Sequence, residues 1–385
     1  MRIEVLDLSE LEELTFQTAI ERFGDLARGN KKIAMAIRDL SDFYISEPEV
    51  RGRYPNSVMH QIARMTFFTL ADLPKAFTVA AELDALLGIC EKPQLKILDL
   101  GAGYGAQSLG LLLYLSHGGS DRSVRLDVVD KDLDALDAFD QLFAQCKKNG
   151  FFKNTEHHIL HLDLEKRFEL KETYDFILMG NMLCEVKATL HYALITRILS
   201  SLVETGFMFI IEPALKATSR DLHALRDELL KNEVCSVIAP CTRTGGCPCL
   251  PNPDDWCHES RSFLLPPRCR QLSVATGLRR FDLKWSYLTL ARHRTLDERH
   301  AAAWRAVSSL QKYKGKSEIF LCGTPGRLRT VLPKKERGAG NADFKRLDRG
   351  YLVWIEGAQE TADQLLLDQE STVIFEAPGD RVPHL

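Results

Sequence analysis

The chain has 385 residues, of which 45% are hydrophobic and 27% charged, enough for two or three domains with a buried core. These values exclude a disordered, collagenous or low-complexity protein. No apolar run approaches the roughly 18 residues of a membrane span, so we expect a soluble protein with no membrane partner. The acidic, amphipathic N-terminus is unlike a secretory signal and predicts a cytoplasmic location. Clustered cysteines would then indicate metal binding or catalysis rather than disulfides.

Charge is distributed unevenly along the chain. Residues 261–350 contain 21 Lys and Arg against 7 Asp and Glu, a local net charge of +14, whereas the rest of the chain carries -17. Aromatic residues are interleaved with these basic residues. The alternative is a solvated basic face without a partner, but the pattern favours a surface that binds nucleic acid.

The N-terminal part of the chain reads as helical up to about residue 85. Residues 62–87 repeat apolar residues at helical spacing and predict two short helices separated at Pro74. From residue 96 onward, short apolar runs alternate with amphipathic segments. They predict strands at 96–100, 124–130, 157–164, 174–182 and 207–213, and intervening helices at 105–115, 133–150 and 193–206.

Strands separated by helices of this length require right-handed crossovers, so we expect a doubly wound α/β domain with a mostly parallel sheet. A further helix over 218–232 precedes a segment rich in Cys, Pro and Gly at 234–270, and a strand is predicted at 286–293. Later strands at 316–323 and 327–333 flank a GTPG turn. The predicted organisation is a helical region 1–85, an α/β domain 86–295 that includes the segment 234–270, a basic β-rich extension 296–357 and an acidic tail 358–385, for which disorder is one alternative.

The loop after the first strand carries Asp99, Gly101, Gly103 and Gly105. Glycines at this position permit a tight turn and let a ligand approach the backbone at a helix N-terminus. The spacing also fits a dinucleotide fingerprint if Ala106 stands for the third glycine, so a nicotinamide cofactor is the alternative at this point.

Two further acids, Asp130 and Asp163, end the next two strands. With Asp99 and the glycine loop, they resemble the class I S-adenosylmethionine-dependent methyltransferases. The resemblance implies a Rossmann-like methyltransferase sheet in which Asp99 and the loop receive the methionine part of the cofactor. By the same resemblance Asp130 accepts hydrogen bonds from the ribose and Asp163 faces the adenine amine. Three acids at consecutive strand ends favour S-adenosylmethionine over nicotinamide.

The segment after the fourth strand, residues 180–185, lies where methyltransferases contact their substrates. Asn181 and Glu185 either line the cofactor pocket or cap the next helix. The Asn-Pro-Pro-aromatic motif of base amino-methylating enzymes is absent, and Cys184 is expected to be a small core residue rather than a nucleophile. No catalytic residue is identified.

Four cysteines, Cys241, Cys247, Cys249 and Cys257, lie within 17 residues of a segment with little apolar material. Thiolate ligands to a metal can order such a segment where packing cannot. The spacing fits a zinc site poorly, since zinc sites begin with pairs two to four residues apart. Iron–sulfur clusters tolerate irregular spacing and take ligands from distant parts of a chain.

The APC, CP and DWCH motifs of this segment, with IARM and IIEPA upstream and FLCGTPGRLR downstream, resemble the methyltransferase-like family associated with the small ribosomal subunit, whose members act in mitochondria and have bacterial relatives. The resemblance covers about residues 55–350. It implies a [4Fe–4S] cluster on Cys241, Cys247, Cys257 and Cys322. Zinc is the alternative metal for these thiols. Cys249 is an extra thiol that could replace Cys247, and His258 is not expected to be a ligand.

By these resemblances, we expect an S-adenosylmethionine-binding, iron–sulfur-containing protein that acts on small-subunit ribosomal RNA or in small-subunit assembly. An active rRNA methyltransferase is the first alternative, and a zinc-containing RNA-binding protein with a vestigial cofactor site is the second. The absent substrate motif favours the assembly factor, whereas the intact glycine loop and the three acids favour retained cofactor binding.

Overall fold

Two eight-stranded β-sheets organise the chain. The computed structural model describes residues 6–46, 54–89, 92–117, 122–164, 166, 168–278, 282–294 and 297–377. The helices are α1 Ser9–Phe23, α2 Asn30–Ile45, α3 Val58–Ala63, α4 Thr69–Leu87, α5 Ala106–Ser116, α6 Leu133–Lys148, α7 His191–Leu199, α8 Lys216–Lys231, α9 Pro267–Thr276 and α10 Glu298–Ala301. Within the described ranges, no helix has both the length and the apolar composition that crossing a membrane requires.

The first sheet contains the strands β1 Gln94–Leu100, β2 Ser123–Asp130, β3 Thr155–His161, β4 Tyr174–Gly180, β5 Leu202–Pro213, β6 Ser236–Ala239, β7 Glu259–Ser262 and β8 Asp282–Ala291. Their order is β3-β2-β1-β4-β5-β8-β6, and β7 pairs with the other half of β8. The first five strands are parallel and β8 runs antiparallel to β5. The expected doubly wound, mostly parallel sheet is confirmed, and its strand order reverses between β1 and β4.

Close packing of helices α4 and α5 covers the sheet beside this reversal. Ile97 and Leu98 of β1 point to opposite faces of the sheet and both are fully buried. On α5, a Cβ atom at Gly110 would lie 2.2 Å from the carbonyl oxygen of Leu73 on α4. Only glycine permits this approach, which brings the N-terminal helical region against α5.

The predicted break at Pro74 is wrong. A π-helical turn, Arg64–Phe68, joins α3 to α4, and Pro74 lies inside the continuous helix α4. Proline removes one helical hydrogen bond. Fourteen of the nineteen residues of α4 are nevertheless buried, so tertiary packing stabilises the helix through that position.

Helix α7 ends seven residues earlier than the sequence pattern predicts. Residues 202–206 belong to β5, where Leu202 pairs with Tyr174 of β4 across a register shift. Apolar residues at 194, 195, 198, 199 and 202 keep helical spacing across the turn, and this spacing concealed the change to strand. A Cβ at Gly206 would lie 2.8 Å from the carbonyl oxygen of Asp175.

The second sheet contains β9 Trp304–Ala306, β10 Gln311–Lys312, β11 Lys316–Gly323, β12 Gly326–Pro333, β13 Leu352–Glu356, β14 Gln359–Glu360, β15 Gln364–Leu366 and β16 Thr372–Glu376. Its order is β14-β15-β12-β11-β9-β13-β16, with β10 on β11. The predicted strands of the basic extension are present in this sheet.

The acidic segment contributes strands β14, β15 and β16 to the second sheet. Strand β15 pairs with β12 and β16 pairs with β13. Three apolar residues of this segment, Leu365, Leu367 and Val373, are buried against the sheet, so the segment has a packing role that its charge conceals. Residues 378–385 of the predicted tail lie outside the described residues.

Candidate functional site

The glycine loop connects β1 to α5 at the point where the strand order reverses. Gly101, Gly103 and Gly105 all have positive φ, at 69°, 53° and 83°. A Cβ at Gly105 would lie 2.2 Å from the ring of Phe139, whereas a Cβ at Gly103 would meet no atom within 4 Å. The loop thus needs glycine at Gly105 for internal packing and has open space over Gly103.

Asp130 fixes the same loop from the end of β2. Its Oδ2 accepts a hydrogen bond from the Gly103 N–H at 2.7 Å, and its Oδ1 accepts one from the Asp132 N–H at 2.9 Å. A carboxylate has about four acceptor positions, so two remain available. The side chain is half-buried and lies at the sheet edge where ligands of doubly wound folds bind.

Asp99 is fully buried at the end of β1. Its Oδ2 accepts hydrogen bonds from the backbone N–H of Ser108 at 3.1 Å and from the Ser108 hydroxyl at 2.5 Å. Its Oδ1 has no hydrogen-bond partner among the described residues. Burial raises the pKa of Asp99 to about 7, although the Ser108 hydrogen bonds act in the opposite direction.

Asn181 follows β4 with a positive φ of 54°. Its Nδ2 donates to the Asp72 carboxylate of α4 at 2.9 Å, and its Oδ1 is buried without a partner in the described part of the chain. The Oε1 of Gln107, whose side chain covers Gly180, is in the same situation. Three buried oxygens near the ends of β1 and β4 therefore accept no hydrogen bond from the described residues: Asp99 Oδ1, Gln107 Oε1 and Asn181 Oδ1.

Glu212 of β5 shapes the loop that contains Asn181. Its carboxylate accepts backbone hydrogen bonds from Met182 at 3.0 Å, Leu183 at 2.8 Å and Cys184 at 3.1 Å. Burial raises the pKa of Glu212 to about 7 despite these three donors. Sequence reasoning missed this role, although a lone acid at the end of an apolar strand was a visible signal.

The remaining residues of the predicted cofactor site lie at the same edge. Asp163 follows β3, is about 29% exposed and forms an ion pair with Lys166 at 3.3 Å. Glu185 is about half exposed, with its carboxylate 3.9 Å from the Lys131 ammonium. Because β1, β2 and β3 are adjacent and parallel, the acids at their carboxyl ends share one edge of the sheet.

A second site is a cavity of about 70 Å³ between the two sheets. Five thiols line this cysteine cavity: Cys241, Cys247, Cys249, Cys257 and Cys322. Cys322 comes from β11, where it pairs with Arg305 of β9 on one side and Arg327 of β12 on the other. The fold therefore brings the distant cysteine to the four clustered ones.

The thiols differ in their surroundings. Burial raises the pKa of Cys322 to about 12 and also raises that of Cys241. The hydrogen bond with Cys249 lowers the pKa of Cys247, and Arg327 donates to the Cys249 sulfur at 3.5 Å. Within the described residues, no group of three or more His, Cys, Asp or Glu side chains is arranged to hold a metal ion. The donor chemistry suits a thiolate-bound metal, but the predicted iron–sulfur cluster and zinc both stay predictions.

His258 also lines the cavity. Burial lowers the pKa of its imidazole to about 4. Its carbonyl oxygen accepts a hydrogen bond from Arg349 at 2.9 Å.

Helix α8 holds the cysteine-rich segment by hydrogen bonds that the sequence did not reveal. The Arg220 guanidinium donates to four carbonyl oxygens of the segment, those of Cys249, Leu250, Asn252 and Asp255, at 2.7 to 3.2 Å. Arg226 donates to the Gly245 carbonyl at 2.8 Å, and Asp227 accepts from the Cys247 N–H at 2.7 Å. The only sequence signal was the presence of arginines on a helix next to a segment without its own core.

Five arginines line the cysteine cavity: Arg226, Arg243, Arg305, Arg327 and Arg349. Arg327 forms an ion pair with Asp255 besides its contact with Cys249. Arg305 is buried and joins its guanidinium to the Glu82 carboxylate of α4. Arg305 and Arg327, which belong to the basic region 261–350, are therefore engaged in internal contacts.

The reversal of strand order at the glycine loop, with an antiparallel strand inserted next to β5, defines a Rossmann-like methyltransferase fold. Residues 66–352 match the model of the family described as "Mitochondrial small ribosomal subunit Rsm22". The chain belongs to this Rsm22 family, which links it to the small ribosomal subunit.

Two methyltransferases of known structure are distantly similar to the chain. Magnesium protoporphyrin IX methyltransferase from Synechocystis PCC 6803 with bound SAH is 14% identical, with 67% of this chain and 100% of that chain covered and a TM-score of 0.37. A TehB-like SAM-dependent methyltransferase from Corynebacterium glutamicum is 15% identical, with 56% and 88% covered and a TM-score of 0.31. No curated protein matches the sequence.

Proposed function

We propose that this protein is an S-adenosylmethionine-binding, iron–sulfur-containing factor that acts on the RNA of the small ribosomal subunit during its assembly. The observation that carries the cofactor part is the open position over Gly103, beside an Asp130 carboxylate with unused acceptor capacity. The ribosomal part rests on membership of the Rsm22 family. The cytoplasmic location expected from the sequence stays a prediction.

The residues at the sheet edge suit S-adenosylmethionine in their chemistry. Asp130 would accept hydrogen bonds from the ribose, Asp163 would face the adenine amine, and Asp99 with the loop Gly101–Gly105 would receive the methionine end. The cofactor carries a cationic sulfonium and an ammonium group, and Asn181 is among the residues that offer it an unpaired buried oxygen. When bound, S-adenosylmethionine supplies an electrophilic methyl group.

We favour an assembly role over catalysis because the sequence identifies no catalytic residue. The buried Glu212 carboxylate contacts the loop of residues 180–185, but it already accepts three backbone hydrogen bonds from that loop. The sequence around Asn181 also lacks the motif of base amino-methylating enzymes. An rRNA methyltransferase is the second candidate, and the retained glycine loop favours it.

We propose that Cys241, Cys247, Cys257 and Cys322 hold a [4Fe–4S] cluster. Support comes from the five thiols that line one cavity and from the cationic lining, which would offset the negative charge of four thiolates. The Cys-Pro step of the family motif assigns Cys247 to the cluster, so we treat Cys249 as the extra thiol.

Purification under anaerobic conditions tests the cluster. The protein should be brown and contain about four irons, and Cys322→Ser should lose the iron while Cys249→Ser keeps it. Colourless protein with one zinc would contradict the cluster and leave a structural zinc site in its place.

Calorimetry tests the cofactor. The protein should bind S-adenosylmethionine and not a nicotinamide dinucleotide, and the reverse result would overturn this part of the proposal. Gly103→Asn, which suits a positive φ but fills the open space, should abolish the heat of binding. In cells that carry Gly103→Asn, all rRNA methylations should remain if the protein is an assembly factor. If it is a methyltransferase, one rRNA methylation should disappear.

A further inference from the structure

One end of the second sheet concentrates exposed lysines around an aromatic side chain. We propose that this end, the lysine tip formed by residues 312–316 and 334–337, binds single-stranded RNA through its phosphates and one stacked base. The inference rests on the proposed function and names the surface that would contact the RNA.

The backbone pairing brings the two parts of the lysine tip together. Tyr313 N–H donates to the Lys316 carbonyl at 2.9 Å and closes the turn between β10 and β11. Lys334 N–H donates to the Gly315 carbonyl at 2.8 Å, so the end of β12 lies beside this turn. Cys322 lies six residues along β11, about 20 Å away at the usual rise of a strand. The tip and the cysteine cavity thus occupy opposite ends of one hairpin.

The lysine tip has a strong cationic excess. It contains six basic residues, namely Lys312, Lys314, Lys316, Lys334, Lys335 and Arg337, against Glu336 within it and Glu318 next to it. Lys316 pairs with Glu318 at 2.5 Å and Lys335 lies 3.7 Å from Glu336. Three exposed ammonium groups, those of Lys312, Lys314 and Lys334, have no ion-pair partner among the described residues. Such a cluster attracts phosphates.

An aromatic side chain at the centre of these charges distinguishes the tip from a merely solvated basic face. Tyr313 is 51% exposed, and the Lys316 ammonium lies 5.3 Å from its ring centroid. Proteins that bind single strands combine cations along the backbone with aromatic rings on which bases stack. Stacking needs an unpaired base, so the tip suits a single-stranded segment or loop rather than a duplex.

Other basic residues of the region are less available for RNA. Arg305 and Arg327 are bound to Glu82 and Asp255, and Arg261 contacts Glu259 at 3.2 Å. Arg329 donates to Gln364 at 3.2 Å. The number of basic residues in the sequence therefore overstates the number available to bind RNA. Several of those that remain available are concentrated at the lysine tip.

Fluorescence anisotropy with a labelled oligouridylate of about 16 nucleotides tests the inference on the full-length protein at several salt concentrations. Lys312→Gln with Lys314→Gln should lower the slope of log affinity against log salt by about 1.4, or 0.7 for each lost phosphate contact. The matched control is Lys31→Gln with Lys32→Gln, two exposed lysines of α2, which should leave the slope unchanged.

The stacking contact is tested separately. Tyr313→Ala should weaken binding about five- to a hundredfold, and Tyr313→Phe should retain most of the affinity. An unchanged metal content and an unchanged thermal midpoint would show that each variant is folded. Equal affinity and slope for the tip and control variants would overturn the inference while the proposed function stands. A wild-type protein that binds neither this probe nor small-subunit rRNA would overturn the proposed function itself.

Discussion

The Asp130 carboxylate has two tasks in the proposed cofactor site. It orders the glycine loop through the Gly103 N–H, and it would bind the ribose with its remaining acceptor positions. An alanine would remove both functions together. Asparagine keeps one oxygen for the loop and removes the charge, so it separates ligand binding from loop order.

We expect Asp130→Asn to weaken S-adenosylmethionine binding about ten- to a hundredfold, because a hydrogen bond to a charged acceptor contributes about 1.5 to 3 kcal/mol. Calorimetry measures the change. Asp134→Asn, on the exposed face of α6 near Arg22, is the matched control and should bind normally. An unchanged affinity in Asp130→Asn would contradict the assigned ribose contact.

Asp99 predicts a pH dependence of stability. Burial raises its pKa from 3.8 to about 7, so the folded state favours the protonated form. Its contribution is complete below about pH 4 and is lost as the pH rises through 7. The free energy of unfolding of the ligand-free protein should therefore fall over this range relative to Asp99→Asn, by up to about 4 kcal/mol.

Urea denaturation at several pH values measures this difference. Asparagine can keep the Ser108 contacts on its oxygen and place its amide nitrogen at the unpartnered Oδ1 position. Parallel curves for the two proteins between pH 4 and 8 would show that Asp99 is not protonated in the folded state.

Residue patterns predicted the site unevenly. The loop from Asp99 to Gly105 was visible because positive-φ turns require glycine and because acids interrupt apolar strands. The contributions of Gln107 and Glu212 were not, since a polar residue in an apolar segment does not reveal which backbone groups it will meet. The contact between Asn181 and Asp72 joins residues 109 positions apart, which no local pattern encodes.

The cysteine-rich segment is stabilised by hydrogen bonds from helix α8. From the sequence alone, a bound metal was the only interaction that we expected to order it. The four hydrogen bonds from Arg220 to carbonyl oxygens of the segment are a second source of order. The cluster can therefore be lost without complete loss of order in the segment.

We expect Cys241→Ser to lose the iron but to keep much of the segment ordered, and Arg220→Gln to loosen residues 249–255 even when all cysteines are present. Hydrogen exchange of the segment's amides measures the order, and iron analysis measures the cluster. The control is Arg197→Gln on α7, whose guanidinium lies over the Phe168 ring. Complete exchange of the segment in Cys241→Ser would contradict the role of Arg220.

Helices and strands with a strong period were predictable from sequence, and their exceptions have physical causes. Helix α4 continues through Pro74 because burial outweighs one lost hydrogen bond. Strand β5 begins at Leu202, before the predicted start at residue 207, because this segment pairs with β4. The spacing of its apolar residues also suits a helix. Strands β15 and β16 form because a few apolar residues among many acids suffice when an existing sheet offers partners.

At the scale of the whole molecule, a buried ion pair joins the second sheet to helix α4. Arg305 of β9 binds Glu82 of α4 and donates to the carbonyl oxygens of Pro240 at 2.7 Å and Gly350 at 2.6 Å. The hydroxyl of Tyr287 on β8 also donates to Glu82. The cysteine cavity lies directly beside this contact.

Arg305→Met should destabilise the protein by about 3 to 5 kcal/mol, because it leaves the buried Glu82 carboxylate without its cation. Thermal or urea unfolding measures the loss. Arg346→Ala breaks an exposed pair with Asp343 and should cost under about 1 kcal/mol. Equal effects of the two substitutions would mean that the sheets do not depend on the buried pair.

Crosslinking the protein to RNA in its own cells and sequencing the bound fragments tests the central claim most directly. We predict enrichment of small-subunit ribosomal RNA, reduced when the lysine tip is neutralised. Enrichment of other RNAs, or no enrichment above an uncrosslinked control, would contradict a role in assembling the small ribosomal subunit.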